Sequence, residues 1–346
     1  MESVWYFILA AMLATYVVLD GFDLGVGILH LVVGRTDPER REALSAIGPV
    51  WDGNEVWLIA SGGVLFFAFP MAYAAAFSGF YLPLIIVLWL LIGRGLSIEW
   101  RSHHPSPLWR ALADVLFSFS SLLLAAVLGA SLGNLVRGVP VDESGYFHIP
   151  LFTNFTTGPQ VGVLDWYTLL VAAFSVALLA AHGATYLAWR TGGSVQLRAQ
   201  GLSMRLWIAA VVLGAAVTWA TSHVRPGFFA QLFGRVGSWP LTVLLLAGLW
   251  TVFRSRKLGR DAQAFLGSAL ALSGLLGATA VAMFPTLLRS TLDPAFSLDA
   301  RGAAAGAHGL STGLAWAFVG LPLAVAYAVT LFRSFAGKAK AEPHGY

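Results

Sequence analysis

The chain has 346 residues, 58% of them hydrophobic and 11% charged; soluble domains carry roughly 25% charged residues, which excludes that class. It has no cysteine, which removes disulfides, iron–sulfur clusters, thiolate zinc sites, covalent c-type haem attachment and cysteine nucleophiles together. The formal charge of +4 invites a nucleic-acid reading, but the basic residues sit in short loops between apolar runs, where membrane topology accounts for them and no nucleic-acid partner is expected.

Nine apolar segments follow one another, at about 4–33, 50–73, 78–101, 108–136, 164–189, 202–222, 238–254, 263–288 and 311–333. Each is long enough for a spanning helix with some tilt, which predicts an all-α, polytopic membrane protein with nine transmembrane helices. The first run is not expected to be a cleavable signal, because it lacks a basic n-region, runs too long and contains Asp20 and Asp23. Pro70 to Ser78 leaves room for a short turn, so segments two and three are predicted antiparallel neighbours. The stretch 137–163, with Asp142, Glu143, His148, Pro150 and Pro159, reads as a loop over one face without a site of its own. The tail beyond Arg333 is short and polar and is predicted disordered.

Basic residues set the orientation. Loops after odd-numbered segments, with the C-terminal tail to Lys340, hold fifteen of the 21, including Arg35, Arg40, Arg41, Arg101 and Arg110. The other side holds five: Arg137, Arg225, Arg235, Arg289 and Arg301. Cytoplasmic loops carry the excess of Lys and Arg, so the N-terminus is predicted outside and the C-terminus in the cytoplasm. Arg35-Thr36 precedes Trp51 much as Arg190-Thr191 precedes Trp207. Duplication would give two four-helix bundles, 1–136 and 164–288, joined by the 137–163 loop, with a peripheral helix at 311–333.

With that orientation, depth follows from a rise of 1.5 Å per residue. Asp20 and Asp23 lie about 24 to 29 Å along a helix that enters near Val4, in the inner leaflet of a core about 30 Å thick. Their spacing of three places them on one face, and His30 returns to the same stripe. Segment two begins on that side with Trp51-Asp52-Gly53-Asn54-Glu55-Val56-Trp57, and segment three ends there with Arg94 and Glu99. His182 and Tyr186 reach the same depth on segment five.

Ionisable groups are costly there and rarely incidental. Paired carboxylates raise each other's proton affinity and a guanidinium lowers it, so Asp20, Asp23, Asp52, Glu55 and Arg94 suit a proton path. They equally suit a structural Arg94–carboxylate pair between helices. Glu99, near the interface, also fits a carboxylate reaching into the headgroups. Gly21, Gly25, Gly27, Gly62 and Gly63 suit close helix packing. His182 reads first as an inter-helix hydrogen bond, ahead of a haem ligand or a proton relay. His103, His104, His148, His223, His308 and His344 form no ligand pattern. Most of the thirteen tryptophans read as interface anchors, while Trp51 and Trp57 are also candidates to line a channel or a quinone cleft.

Asp20-Gly21-Phe22-Asp23-Leu24-Gly25-Val26-Gly27, followed by Gly34-Arg35-Thr36-Asp37 and Glu39-Arg40-Arg41, resembles the opening of subunit II of the cytochrome bd-type quinol oxidases. Trp51-Asp52-Gly53-Asn54-Glu55-Val56-Trp57-Leu58 is similar to that family's second-helix signature. Ala74-Ala75-Ala76-Phe77-Ser78-Gly79-Phe80-Tyr81 and Glu99-Trp100-Arg101-Ser102 continue the likeness in order, over roughly the first 105 residues. Beyond them the likeness lies in helix count and length, with His182-Gly183-Ala184 an echo. Glu55 departs from the glutamine that some members carry.

The resemblance implies nine transmembrane helices as two four-helix bundles and one peripheral helix, in a bacterial cytoplasmic membrane. It implies an obligate partner, subunit I, that carries haems b and d and the quinol site, while this chain binds no haem. Quinol oxidation at the outer face then drives reduction of oxygen to water with cytoplasmic protons. Small single-helix accessory subunits are further candidate partners, and a structural quinone or lipid a candidate occupant. The proton-route role falls on Asp52 with Trp57 beside it, and Asp20 and Asp23 are supporting members. The rival readings are a proton-coupled secondary transporter, which would place its charges near the midplane, and a scaffold that only stabilises a haem-bearing partner.

Overall fold

In the computed structural model, residues 1–339 are described, so Lys340 and His344 of the tail lie outside the described residues. The first helix, α1 (Glu2–Val33), has 32 residues and is about 48 Å long, well over the thickness of a bilayer core. Every residue from Asp20 to Gly27 along it is buried. This makes α1 the centre of the bundle.

The rest of the chain is α2 (Asp37–Ile47), α3 (Trp51–Ala68), α4 (Pro70–Gly79), α5 (Tyr81–Trp100), α6 (Pro107–Arg137), α7 (Trp166–Arg190), α8 (Gly193–Val224), α9 (Phe228–Gly234), α10 (Ser238–Lys257), α11 (Asp261–Met283) and α12 (Ala307–Ser334). A two-stranded antiparallel ribbon of β1 (Thr286–Leu288) and β2 (Leu298–Asp299) precedes α12. Helix α1 packs on α3, α6, α7 and α11; α5 packs on α6, α7 on α8, and α10 on α11.

Among the described residues, α1, α5, α6, α7, α8, α11 and α12 are long and apolar enough to cross a membrane, and α9 with α10 pass together despite a 99° bend between them. Helix α3 is 18 residues long, and its polar first turn, with Asp52, Asn54 and Glu55, lowers its apolar character. The chain is therefore an all-α integral membrane protein.

Several segment ends differ from the sequence reading. The run 50–73 breaks at Phe69, because Pro70 cannot donate to the ladder and opens a new helix instead. The expected turn at Pro70–Ser78 is thus itself helical, as α4. The run 263–288 stops at Met283, where Pro285 ends the helix and Thr286–Leu288 joins the ribbon. Helix α8 begins nine residues before the expected 202. The tail is not free where it is described: Ala339 donates to the Arg190 carbonyl at 2.7 Å, and Lys338 Nζ to Gln196 Oε1 at 2.9 Å.

The two ends of the bundle are built differently. At one, α2 is a short connector with a capping box of Thr36 and Glu39 and a proline in its first turn. Glu39 bonds Arg198 and Ser194, and Glu42 accepts from the Gly192 amide, tying α2 to the α7–α8 elbow. At the other end, the 137–163 loop packs Val139, Val141 and Phe147 against Ala75 and Leu288. It starts at Gly138, whose φ of +110° suits a residue without a side chain. There Arg137 pairs with Asp165 and donates to Asn134 Oδ1 at 2.6 Å.

Candidate functional site

Arg94 sits in the last two turns of α5 with no exposed surface. Its Nη1 donates to Asp20 Oδ2 at 2.9 Å and its Nη2 to Asp20 Oδ1 at 2.5 Å, a two-pronged pair between α5 and α1. The same Nη2 donates to Glu55 Oε2 at 3.0 Å, which brings in α3. The guanidinium lies over the Trp51 indole, 5.9 Å from the ring centroid, so Trp51 closes the site from below; it packs on Gly95, which leaves it room. Trp51 is 9% exposed and walls the charge cluster.

Asp23 lies one turn beyond Asp20 on the same face of α1 and is 1% exposed. Its Oδ2 accepts from Asn54 Nδ2 at 2.7 Å, and that amide also donates to the Leu19 carbonyl at 3.3 Å. A carbonyl can only accept, which fixes the amide orientation. Among the described residues, Asp23 Oδ1, Arg94 Nε and the Tyr16 hydroxyl are buried without a hydrogen-bond partner. Asn54 and Tyr16 were not singled out by sequence reasoning. Asn54 sits inside the Trp51–Trp57 signature, and Tyr16 lies four residues before Asp20, so the helical stripe would have found both.

The other expected residues divide. Asp52 is exposed at the start of α3, one turn before Glu55, whose side chain is 16% exposed. Asp52, Glu55 and Asp20 thus run from the protein surface to a fully buried pair. Trp57 stands apart from the charges and lines a cleft of about 450 Å³ between α1, α3 and α12, with Thr15, Leu19 and Phe332. Glu99, half-buried near the end of α5, accepts from His103 Nδ1 through its backbone carbonyl at 2.8 Å; the hydrogen bonds of Arg94 go to Asp20 and Glu55. His182 joins α7 to α1 and α11, with Nε2 at 3.0 Å from the Val18 carbonyl and Nδ1 at 2.7 Å from Ser268 Oγ. Since the carbonyl accepts, Nε2 carries a proton.

A second charged cluster went unnoticed in the sequence. Asp114, 1% exposed, accepts from His30 Nε2 at 2.7 Å and Arg101 Nε at 2.6 Å through Oδ1, and from Arg40 Nη1 at 3.1 Å through Oδ2. Arg101 also pairs with Asp37 at 2.8 Å. This cluster locks α1, α2, α5 and α6 at the end of the bundle rich in basic residues. A carboxylate inside the apolar run 108–136 was the available signal.

Three acids, Asp20, Asp23 and Glu55, therefore surround one fully buried cation. Such a cluster holds negative charge where water is excluded, and it can take up protons from the exposed end. His182 has both ring nitrogens engaged, and among the described residues no group of three His, Cys, Asp or Glu side chains converges as metal ligands do.

The chain matches the cytochrome bd terminal oxidase subunit II family over residues 1–335. It is 31% identical over 317 residues to cytochrome bd-I ubiquinol oxidase subunit 2 of Escherichia coli, covering 84% of this chain and 82% of that one. It is 31% identical over 314 residues to cytochrome bd ubiquinol oxidase subunit 2 of Bacillus subtilis, covering 90% and 88%. The fold is similar to a chain of the bd oxidase from Geobacillus thermodenitrificans, with a TM-score of 0.73 at 18% identity over 96% of this chain and 98% of that one.

Proposed function

The chain belongs to the cytochrome bd terminal oxidase subunit II family, and on that premise we propose that its buried acids form the cytoplasm-side segment of a proton route toward haems held by a partner subunit. It is a subunit of a quinol-oxidising oxidoreductase complex of the membrane. That membership removes the transporter reading. The observation that carries the proposal is the graded series of acids, from exposed Asp52 through Glu55 to Asp20 and Asp23 beside Arg94.

Positive-inside asymmetry puts the end with α2, Arg101 and the tail in the cytoplasm, the side from which protons for oxygen reduction would be drawn. Asp52 takes up the proton at the surface. Glu55, one turn on, relays it inward, and Arg94 keeps the extra carboxylates soluble in a low-dielectric interior. Haems b and d and the quinol site belong, on this reading, to subunit I. In a bacterial cytoplasmic membrane, α1, α3, α5, α6 and α7, α8, α10, α11 form two four-helix bundles with α12 at the periphery, nine spans with the N-terminus outside. The cleft at Trp57 is apolar and suits a lipid chain or a structural quinone.

The test is purification of the tagged complex from native membranes, with a reduced-minus-oxidised spectrum and oxygen consumption on quinol. Haem b and d bands should accompany a second large polypeptide. Asp52→Asn and Glu55→Gln should keep the haem content and lower turnover by about a hundredfold, the scale of a lost proton-transfer group. Unchanged turnover in both variants would overturn the route.

A further inference from the structure

We infer that Asp23 is the acid of this cluster that carries the transferable proton, and that Asp20 is the acid that holds Arg94. The inference rests on the proton route proposed above and divides the labour within it. Asp20 and Asp23 are one turn apart on α1 and both buried, yet their surroundings differ in kind.

Both oxygens of Asp20 accept from Arg94, at 2.9 and 2.5 Å, and neither side chain has exposed surface. A two-pronged, charge-assisted pair of this sort is the strongest arrangement a carboxylate can find. Protonating Asp20 would strand a buried guanidinium, which is severely unfavourable. Asp20 is therefore committed to Arg94.

Asp23 has no such partner. Among the described residues its one hydrogen bond comes from a neutral amide, Asn54 at 2.7 Å, and its Oδ1 has no hydrogen-bond partner. The terminal nitrogens of Arg94 are directed to Asp20 and Glu55. The groups facing Asp23 are Asp20 on α1, Glu55 on α3, Arg94 on α5 and Tyr186 on α7. The Tyr186 hydroxyl donates to the Ala46 carbonyl at 2.7 Å and is committed there. Asp20 and Arg94 already balance each other, and Glu55 shares the same guanidinium. An ionised Asp23 would add a negative charge with no counter-charge of its own, within a turn of helix and out of water, where like charges repel strongly.

A neutral Asp23 resolves this. Oδ2 accepts from Asn54, and Oδ1 carries the proton. When that O–H bond breaks, the proton passes to the next acceptor of the route, a water or a carboxylate on the way to the partner subunit, and Asp23 becomes a carboxylate. A new O–H bond then forms with a proton drawn through Glu55 from Asp52. One proton crosses per cycle, and no electron moves in this chain.

Infrared difference spectroscopy on the intact complex tests the assignment. The wild type should show a protonated-carboxyl C=O band that shifts on labelling with 13C-aspartate and in heavy water. Asp23→Asn, which keeps shape and hydrogen bonds, should lose the band, keep its haems and lose turnover by about a hundredfold. Asp23→Glu should restore a carboxyl band. A band that does not respond to 13C-aspartate, or that survives in Asp23→Asn, overturns the inference, and so does full turnover without the band. Should Asp23→Asn fail to assemble, Asp23→Glu decides: its carboxyl band should no longer respond to 13C-aspartate, and a band that still does overturns the inference. If Asp52→Asn and Glu55→Gln slow turnover while Asp23→Asn does not, the route stands and this assignment falls; if none of the three does, the route falls first.

Discussion

Gly25 of α1 and Gly183 of α7 touch through their backbones: a Cβ on Gly25 would lie 2.7 Å from the Gly183 nitrogen, and one on Gly183 would lie 2.6 Å from Gly25 Cα. In lipid, where apolar surface gains little by leaving the solvent, such close approach is a main source of helix association. Gly25→Ala should push the two helices apart and cost about 1–3 kcal/mol. The check is a lower thermal midpoint and a lower yield of the purified complex. Gly62→Ala and Gly63→Ala should leave this chain's fold intact, because among the described residues no atom beyond the glycine's chain neighbours and its own helix backbone lies within 4 Å of a Cβ added at either.

Among the described residues, Arg94 is the one cation beside Asp20, Asp23 and Glu55. Replacing it with Leu leaves Asp20 and Glu55 buried without their counter-charge, which should cost about 3–5 kcal/mol. Combining Arg94→Leu with Asp20→Asn should recover part of that loss, since the two groups share one interaction. Thermal denaturation followed through the haem absorbance of the complex reads both. A double variant no more stable than Arg94→Leu alone would show that the pair does not hold the helices together.

These two sites show what the sequence discloses and what it leaves hidden. Asp20, Glu55 and Arg94 could be assembled on paper because helical depth and basic-residue asymmetry place them at one level, and the structure joins them. Gly25 and Gly62 look alike in a sequence. Only the path of α7 decides that one is crowded and the other open. Pro70 and Pro285 mark real helix breaks, but a run of apolar residues on both sides conceals them. Asp114 was legible as a carboxylate in an apolar span, yet its partners His30, Arg40 and Arg101 come from three other elements. Arg101 in particular reads as a loop cation and is 1% exposed. Periodicity gives depth along a helix; it does not give the neighbour across it.

Acid should loosen the α2 elbow before it reaches the buried charges. Glu39 is held below the usual carboxylate range first by the Arg198 guanidinium and then by the Ser194 hydroxyl. For Asp37, burial pushes upward, but the hydrogen bond and charge of Arg101 outweigh it and hold the group low. A depressed folded value means that the unfolded chain binds protons first, so the stabilisation is complete above an unfolded pKa of about 4. It fades as the pH falls below that, toward the folded values. Thermal midpoints of the wild type should therefore be insensitive to these groups between pH 6 and 8, roughly two units above that range. They should drop more steeply below about pH 4 than those of Glu39→Gln, which has no such proton to bind. Parallel acid limbs for the two proteins would show that the Glu39–Arg198 contact does not stabilise the elbow.

The cluster around Asp114 should behave as a clamp and not as part of the proton route. Its carboxylate meets His30, Arg40 and Arg101 at 2.6 to 3.1 Å, and no hydrogen bond links it to Asp20, Asp23, Glu55 or Arg94. Asp114→Asn removes the charge that faces a buried guanidinium, leaving Arg101 with Asp37, whose side chain is 39% exposed. A loss of about 3–5 kcal/mol follows from stranding a buried charge. Arg40→Gln should cost no more than about 1 kcal/mol, because that side chain is 28% exposed and partly solvated. The complexes that do assemble with Asp114→Asn should turn over normally per haem, in contrast to those with Asp52→Asn. Thermal midpoints and oxygen consumption measured on the same preparations separate the two roles. Slow turnover in a stable Asp114→Asn complex would instead place His30 and Asp114 on the path that protons follow.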